Sequence, residues 1–214
     1  TAFPMRFHPA AIGLRQAIHD GAIGVPLAVN ATNHGTMPPG WFQDPELAGG
    51  GAVMDHVVHV ADLLRWIFDA EITEVYAEID TRLTPGIPVE DVGILMLRLS
   101  NGITASLDSS WSRAKTWPTW GGVTLDVIGG GGVLAVDAFA ERLRLVEERG
   151  PSHVFLPWGE DPDRALLEAF IAAARERKDP PVTGEDGLRA LEVARCAYES
   201  ARRQAPVACP DCLG

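Results

Sequence analysis

Two hydrophobic periods, in separate stretches of the chain, constrain how it can fold. Over residues 52–68 apolar side chains recur every three or four positions, which is the spacing of one buried helix face. Further along, apolar and polar residues alternate over residues 75–80 and 103–108, the pattern of strands buried on one side. Because helices and strands are grouped along the chain, the sequence predicts an α+β fold.

Caps and breakers bound the other predicted elements. Helices are predicted over residues 9–20 and 52–68, from Pro162 to a stop at Pro180-Pro181, and after Thr183. Strands are predicted over residues 26–34, 75–79, 92–99, 103–107, 123–128, 133–137 and 143–147. We expect one domain over residues 1–214, with an open, mostly antiparallel sheet and helices packed on one face.

Turns and loops follow from glycine and proline. Asn101-Gly102 predicts a tight hairpin, because these residues tolerate positive φ at its two central positions. Residues 129–132 are four glycines, and no Gly-Lys-Ser/Thr follows them, so a hairpin turn is favoured over a phosphate loop. The breakers in residues 36–49 predict a loop without helix or strand, and residues 205–214 are expected to fray.

The charge balance excludes several classes of partner. Eighteen Lys and Arg against 29 Asp and Glu give a net charge of −11, which repels nucleic acid and anionic membrane surfaces. The longest apolar stretch, residues 50–68, contains charged and imidazole side chains, so no membrane span is expected. Three cysteines are too few for a disulfide framework, which predicts a cytoplasmic protein.

One face of the helix over residues 52–68 carries the candidate chemistry. Asp55, His59, Asp62 and Trp66 lie at i, i+4, i+7 and i+11. Neighbours at this spacing are about 6 Å apart, so the Asp55 carboxylate can orient the His59 imidazole and raise its pKa. A histidine held in this way transfers protons near neutral pH. The alternative, a core histidine beside a surface carboxylate at Asp62, stays open on spacing alone.

Three other features near this helix and at the chain end have competing interpretations. The glycines at 49–51 allow another backbone or a flat ligand to approach the helix start. His56 and His59 could both reach a zinc ion, but His-Glu-x-x-His is absent, and we expect no metal. Cys209 and Cys212 form a lone Cys-x-x-Cys pair, which we interpret as unpaired tail thiols.

Residues 40–66 resemble the signature of the glucose-fructose oxidoreductase, inositol dehydrogenase and MocA (Gfo/Idh/MocA) family. That signature has three glycines, then Asp, His and Asp, which match residues 49–51, Asp55, His59 and Asp62. Residues 3–9 resemble the family's crossing from its nucleotide domain into its second domain, and residues 182–194 resemble its closing helix. The likeness spans nearly the whole chain.

The resemblance implies hydride transfer between NAD or NADP and a hydroxyl carbon of a sugar, polyol or related small molecule. His59 would transfer the proton, and Asp55 would be its polar partner and fix the substrate. The other implied substrate-binding residues are Asn33, His34, Arg6 at the domain junction, and Asp62. The open sheet would form a homo-oligomer, a dimer or tetramer.

The sequence departs from the family where the cofactor should bind. The Glu-Lys-Pro motif and the Gly-rich dinucleotide fingerprint are absent, and the only lysines are Lys115 and Lys178. We therefore expect a fragment, the second domain of an oxidoreductase, that binds neither NAD nor NADP alone and is inactive alone. The alternative is a standalone binding or assembly module. Four tryptophans are assigned to an interface: Trp111, Trp117, Trp120 and Trp158.

Overall fold

The fold is built on a seven-stranded sheet that carries its helices on one face. The computed structural model describes residues 1–117, 119, 121–139, 142–146, 153–157 and 161–209. The sheet strands are β1 (Pro26–Gly35), β2 (Ile72–Asp80), β3 (Val92–Leu99), β4 (Thr104–Asp108), β5 (Gly121–Gly129), β6 (Gly132–Asp137) and β9 (Val207–Ala208). Strands β7 (Arg142–Val146) and β8 (His153–Pro157) pair with each other as a separate antiparallel ribbon.

Five α-helices accompany this sheet in the described part of the chain. They are α1 (Pro9–His19), α2 (Pro45–Ala48), α3 (Ala52–Phe68), α4 (Pro162–Glu176) and α5 (Gly184–Arg203). Two single 3₁₀ turns, Pro4–Phe7 and Gly40–Gln43, precede α1 and α2. In the described residues, no helix is both long enough and apolar enough to cross a membrane.

The strand order is β6-β5-β1-β4-β3-β2-β9, and every described pair is antiparallel except β1 with β4. The predicted fold class, α+β with an open and mostly antiparallel sheet, is therefore confirmed. The hairpin between β3 and β4 turns at Gly102, whose φ is +89°. The glycine run pairs Gly129 with Gly132 as a turn between β5 and β6, as predicted.

The core lies between the sheet and the two long helices α3 and α5. Alternate strand residues point to this side and are buried, as the period of two predicts: Val29, Ala31, Val75, Ala77, Leu95, Leu97, Ala105, Leu107, Leu125 and Val127. They pack on the apolar stripe of α3, where Val53, Val57, Val60 and Leu64 are fully buried. The opposite face of the sheet has no helix over it among the described residues and exposes Ile94, Met96 and Ile128.

Two local expectations are corrected. The segment of residues 36–49 was expected to contain no helix, but it forms the turn Gly40–Gln43 and the short helix α2. Proline is well suited to a first helical position, Pro45 occupies it, the Asp44 side chain caps it, and Gly49 ends the turn at φ +77°.

The expected frayed tail, residues 205–214, is ordered where it is described. Val207–Ala208 pairs with Glu74 and Val75 of β2, and Val207 is buried. Residues 210–214, which include Cys212 of the proposed thiol pair, lie outside the described residues, as do Trp120 and Trp158.

Candidate active site

A pocket of about 220 Å³ opens between the first half of α3, the end of β1 and the segment after it. Its polar lining comes from Asn33 on β1, from Thr36 just after β1, and from three side chains of α3, which are Asp55, His56 and His59. Apolar side chains form the rest of the wall: Pro4, Met5, Pro38, Phe42, Val123 and Phe139. Such a mixture, mostly apolar with a few convergent polar groups, is typical of a small-molecule site.

The start of α3 is held against protein rather than left open for a ligand. A Cβ on Gly50 would collide with the Tyr198 hydroxyl, and a Cβ on Gly51 would collide with the Glu90 carbonyl. The Glu90 side chain also accepts hydrogen bonds from the Gly51 and Val53 N–H groups at 2.8 and 3.0 Å. The close approach predicted from these glycines is therefore real, but another part of the chain makes it.

Asp55 is fixed by two nitrogen groups that meet one of its oxygens. The Trp111 indole Nε1–H donates to Oδ2 at 3.0 Å, and His56 Nε2 lies 3.3 Å from the same atom. Trp111 is only 4% exposed and packs with Ala52 and Val89. The assignment of Trp111 to an intermolecular interface is therefore wrong, since its ring is covered within the chain. Trp117, by contrast, is exposed and lies under the Arg113 guanidinium.

His59 forms one wall of the pocket and is largely buried. The ring of Phe3 meets it edge-on, with centroids 5.7 Å apart. Burial lowers the pKa of His59, and the charge of Asp55 opposes this shift without reversing it. The expected increase in the pKa is thus corrected, because desolvation outweighs the carboxylate. A neutral imidazole at pH 7 is a proton acceptor.

His56 is the second imidazole of the pocket. Burial lowers its pKa too, against the charge of Asp55. Asn33 Nδ2 donates to the His56 carbonyl at 3.1 Å, which ties the end of β1 to α3. His34, the next residue on β1, instead places Nε2 2.9 Å from Asp108 Oδ2 on β4 and does not line the pocket.

Arg6 and Asp62 also lie outside the pocket lining, where they form an ion pair with each other. Arg6 holds Asp62 with two bonds, Nε to Oδ2 at 2.7 Å and Nη2 to Oδ1 at 2.5 Å. The same guanidinium reaches Asp186 Oδ1 at 2.8 Å. Asp62 is fully buried. Trp66, last in the predicted stripe, packs under the Arg15 guanidinium.

The structure thus brings together Asn33, Asp55 and His59 of the predicted set and separates Arg6, Asp62 and His34 from them. Sequence reasoning missed the roles of His56 and Trp111 in this site. His56 was considered only as a zinc ligand, although its place beside Asp55 was a usable signal. Trp111 is 56 residues from Asp55, and no local pattern predicts that contact. Among the described residues, no three His, Cys, Asp or Glu side chains are grouped to hold a metal ion.

Comparison with known proteins matches this architecture to one family. A family model described as the GFO/IDH/MocA C-terminal domain matches residues 12–135. The chain belongs to this family. The myo-inositol 2-dehydrogenase of Thermotoga maritima is 26% identical over 224 residues, covering 100% of this chain and 65% of that protein.

Solved structures share the fold over the same extent. A "probable dehydrogenase" of Thermotoga maritima superposes with a TM-score of 0.80 at 25% identity, covering 97% of this chain and 64% of that one. Levoglucosan dehydrogenase, solved in complex with NADH, gives a TM-score of 0.79 at 21% identity, covering 98% of this chain and 65% of that one. The chain therefore spans slightly less than two thirds of the relatives it matches.

Proposed function

We propose that this chain is the substrate-binding and proton-transfer part of an NAD(P)-dependent oxidoreductase that acts on a hydroxyl group of a sugar, polyol or related small molecule. The observation that carries the proposal is the neutral His59 beside Asp55 in a small pocket. Family membership supports the reaction class, and the name of the inositol dehydrogenase relative supports the substrate class.

The pocket suits a small substrate better than a dinucleotide. Its volume of about 220 Å³ lies below the roughly 300–1,000 Å³ of drug-sized ligand sites. The sequence also lacks the Gly-rich turn that would hold a pyrophosphate. The residues of this chain therefore do not fit the cofactor, which we assign to another part of the full-length protein.

Within the pocket, His59 accepts the proton of the reacting hydroxyl during oxidation and returns it during reduction. Its lowered pKa keeps the ring unprotonated at neutral pH, as a general base requires. Asp55 and Asn33 provide hydrogen-bonding groups for neighbouring hydroxyls, while the apolar walls exclude water. Arg6 and Asp62 contribute at the junction instead, by holding the turn Pro4–Phe7 against α3.

Helix α4 has an apolar face that this chain leaves exposed. Helix α4 has no buried residue among those described and packs mainly on the turn Pro4–Phe7. Its residues Leu167, Phe170 and Ile171 are 56%, 55% and 46% exposed. We assign this face to the part of the full-length protein that the relatives have in addition to the matched region.

The open face of the sheet is the proposed oligomer contact. It exposes Ile94, Met96 and Ile128 between polar neighbours, and burying such side chains stabilises subunit association. Met96→Glu should convert the full-length protein to a smaller species in light scattering, with Leu83→Glu in the exposed loop between β2 and β3 as the control. An unchanged mass for Met96→Glu would contradict this assignment.

Two measurements test the proposed function. His59→Ala in the full-length protein should lower turnover about 100- to 10,000-fold while the circular dichroism spectrum is retained. The substrate is found by screening inositols, other polyols and aldoses with NAD⁺ and NADP⁺. Titration of the isolated chain with NADH should show no specific binding. Unchanged turnover in His59→Ala would refute the role of His59, and a full-length protein without dehydrogenase activity would favour the standalone binding module.

A further inference from the structure

We infer that Trp111 and His56 are positioning residues that hold one oxygen of Asp55 and leave the other for a substrate hydroxyl. This inference rests on the proposed function and assigns a task to two residues outside the predicted site. It concerns how Asp55 is oriented, which is separate from the proton transfer at His59.

The two contacts converge on a single atom. Trp111 Nε1 donates to Asp55 Oδ2 at 3.0 Å, and His56 Nε2 is 3.3 Å from the same oxygen. Among the described residues, none donates a hydrogen bond to the other oxygen, Oδ1, and the Asp55 side chain is 22% exposed at the pocket. The indole hydrogen bond to a charged acceptor is strong, and the imidazole nitrogen 3.3 Å from the same oxygen restrains the carboxylate further. Oδ1 then has a defined direction and a free acceptor site.

The indole is itself held rigidly, which a positioning role requires. Its ring is 4% exposed and packs with Ala52 at the start of α3 and with Val89. Its backbone N–H donates to the Asp91 carbonyl at 2.9 Å. The donor therefore belongs to a segment anchored outside α3, and it restrains the carboxylate from outside the helix.

The geometry also assigns the tautomer of His56. Because Nε2 faces the Asp55 carboxylate, Nε2 carries the proton, and Nδ1 carries a lone pair. Nδ1 is buried and has no hydrogen-bond partner among the residues that the structure describes. Burial lowers the pKa of His56 despite the opposing charge of Asp55 and the opposing contact with the Asn33 backbone, so the ring stays neutral. Among the described residues, the charged group that His56 contacts is the Asp55 carboxylate, through Oδ2.

The test is a double-mutant cycle in the full-length enzyme, measured on the inositol, polyol or aldose that the screen turns over fastest. Trp111→Phe removes the N–H and should lower kcat/KM about ten- to hundredfold. In an Asp55→Ala background the same change should cost less than about threefold, because the acceptor through which Trp111 acts is already gone. Equal losses in both backgrounds would overturn the inference.

Matched variants separate positioning from packing. Val89→Ala loosens the same cluster but keeps the indole N–H, so it should lower the melting temperature without coupling to Asp55→Ala. Trp117→Phe changes an exposed tryptophan away from the pocket and should leave kcat/KM unchanged. Coupling of Val89→Ala as strong as that of Trp111→Phe would indicate a packing effect and refute the inference.

His56 gives an independent route if Trp111→Phe does not fold. His56→Leu removes the second nitrogen that contacts Oδ2 of Asp55 and should lower kcat/KM, whereas His56→Gln retains an N–H near the position of Nε2 and should lose less. Equal losses in the two variants would contradict the role of His56. If His59→Ala abolishes turnover while these variants act additively with Asp55→Ala, only this inference fails. Unchanged turnover in His59→Ala would instead refute the proposed function.

Discussion

Helix α3 carries two polar clusters less than two turns apart, and they have opposite chemistry. The first contains Asp55, His56 and His59, in which neutral imidazoles line a pocket. The second contains Asp62, fully buried and bound by Arg6 with two hydrogen bonds. Asp55 and His59 of the first cluster and Asp62 of the second together make up one Asp-x₃-His-x₂-Asp motif. The difference shows that spacing on one helix face does not by itself distinguish a reactive group from a structural one.

The two clusters differ in whether a group of opposite charge forms an ion pair that offsets the cost of burial. At Asp62, the Arg6 guanidinium supplies that charge, and Asp186 shares it at 2.8 Å. Burial opposes ionisation of Asp186, but hydrogen bonds from Thr183 and Arg6 outweigh it and hold the pKa of its carboxyl below the ordinary value. At His59, the charge of Asp55 opposes the effect of burial without outweighing it, and the ring remains neutral. The ion pair between Arg6 and Asp62 therefore contributes to stability. The neutral imidazole of His59 can instead interact with a ligand.

The largest predicted effect concerns the ion pair of Arg6 and Asp62. Asp62→Asn leaves the buried Arg6 without its bidentate partner, and breaking a buried pair costs about 3–5 kcal/mol of unfolding free energy. We expect the lower end of this range, because Asp186 remains. Urea unfolding of the chain measures the loss. The control is Glu168→Gln, which breaks an exposed pair with Arg164 and should cost at most about 0.5 kcal/mol.

This comparison also tests the implied substrate role of Asp62. If the role of Asp62 is limited to its ion pair with Arg6, Asp62→Asn in the full-length protein should lower the stability. The KM should then stay within about twofold of the value before the substitution. A raised KM with unchanged stability would reverse the comparison between the clusters and return Asp62 to the substrate site.

The sequence predicts the local part of this site and not its long-range part. Helix α3 has the predicted bounds because its apolar stripe starts after three glycines and ends at Phe68. That stripe places Asp55 and His59 on one face by helical geometry alone. The contact with Trp111 depends instead on where β4 ends relative to α3, and only the packed sheet determines that position.

The same limit applies to charge and to short elements. Whether Asp62 is paired depends on Arg6, which is 56 residues away in the chain. The direction of the His59 pKa shift depends on burial, which competes with the neighbouring carboxylate and has no local signature. Strand β9 has two residues and forms because β2 offers an edge, so no periodicity could indicate it.

The smallest predicted effect is a pH dependence of stability that comes from the cluster of Asp55, His56 and His59. His56 and His59 have lowered pKa values when folded, whereas an unfolded histidine titrates near about 6.5. Below that pH the unfolded chain binds more protons than the folded chain, so the unfolding free energy is complete above pH 6.5 and falls as the pH decreases. The slope is at most about 1.4 kcal/mol per pH unit for each imidazole.

Urea unfolding of the chain between pH 5 and 8 measures this slope, and His59→Gln should reduce it because the group that gains a proton on unfolding is gone. His19→Gln is the matched control, since His19 is 41% exposed and lies beside Asp69 on the surface. Asp55 lies next to both buried imidazoles and acts against their shift, so Asp55→Asn should steepen the slope. A stability that does not change over this pH range would mean that the cluster of Asp55, His56 and His59 is not desolvated. The same would follow if His19→Gln reduced the slope as much as His59→Gln does. In either case the two polar clusters of α3 would differ less than their hydrogen bonds indicate.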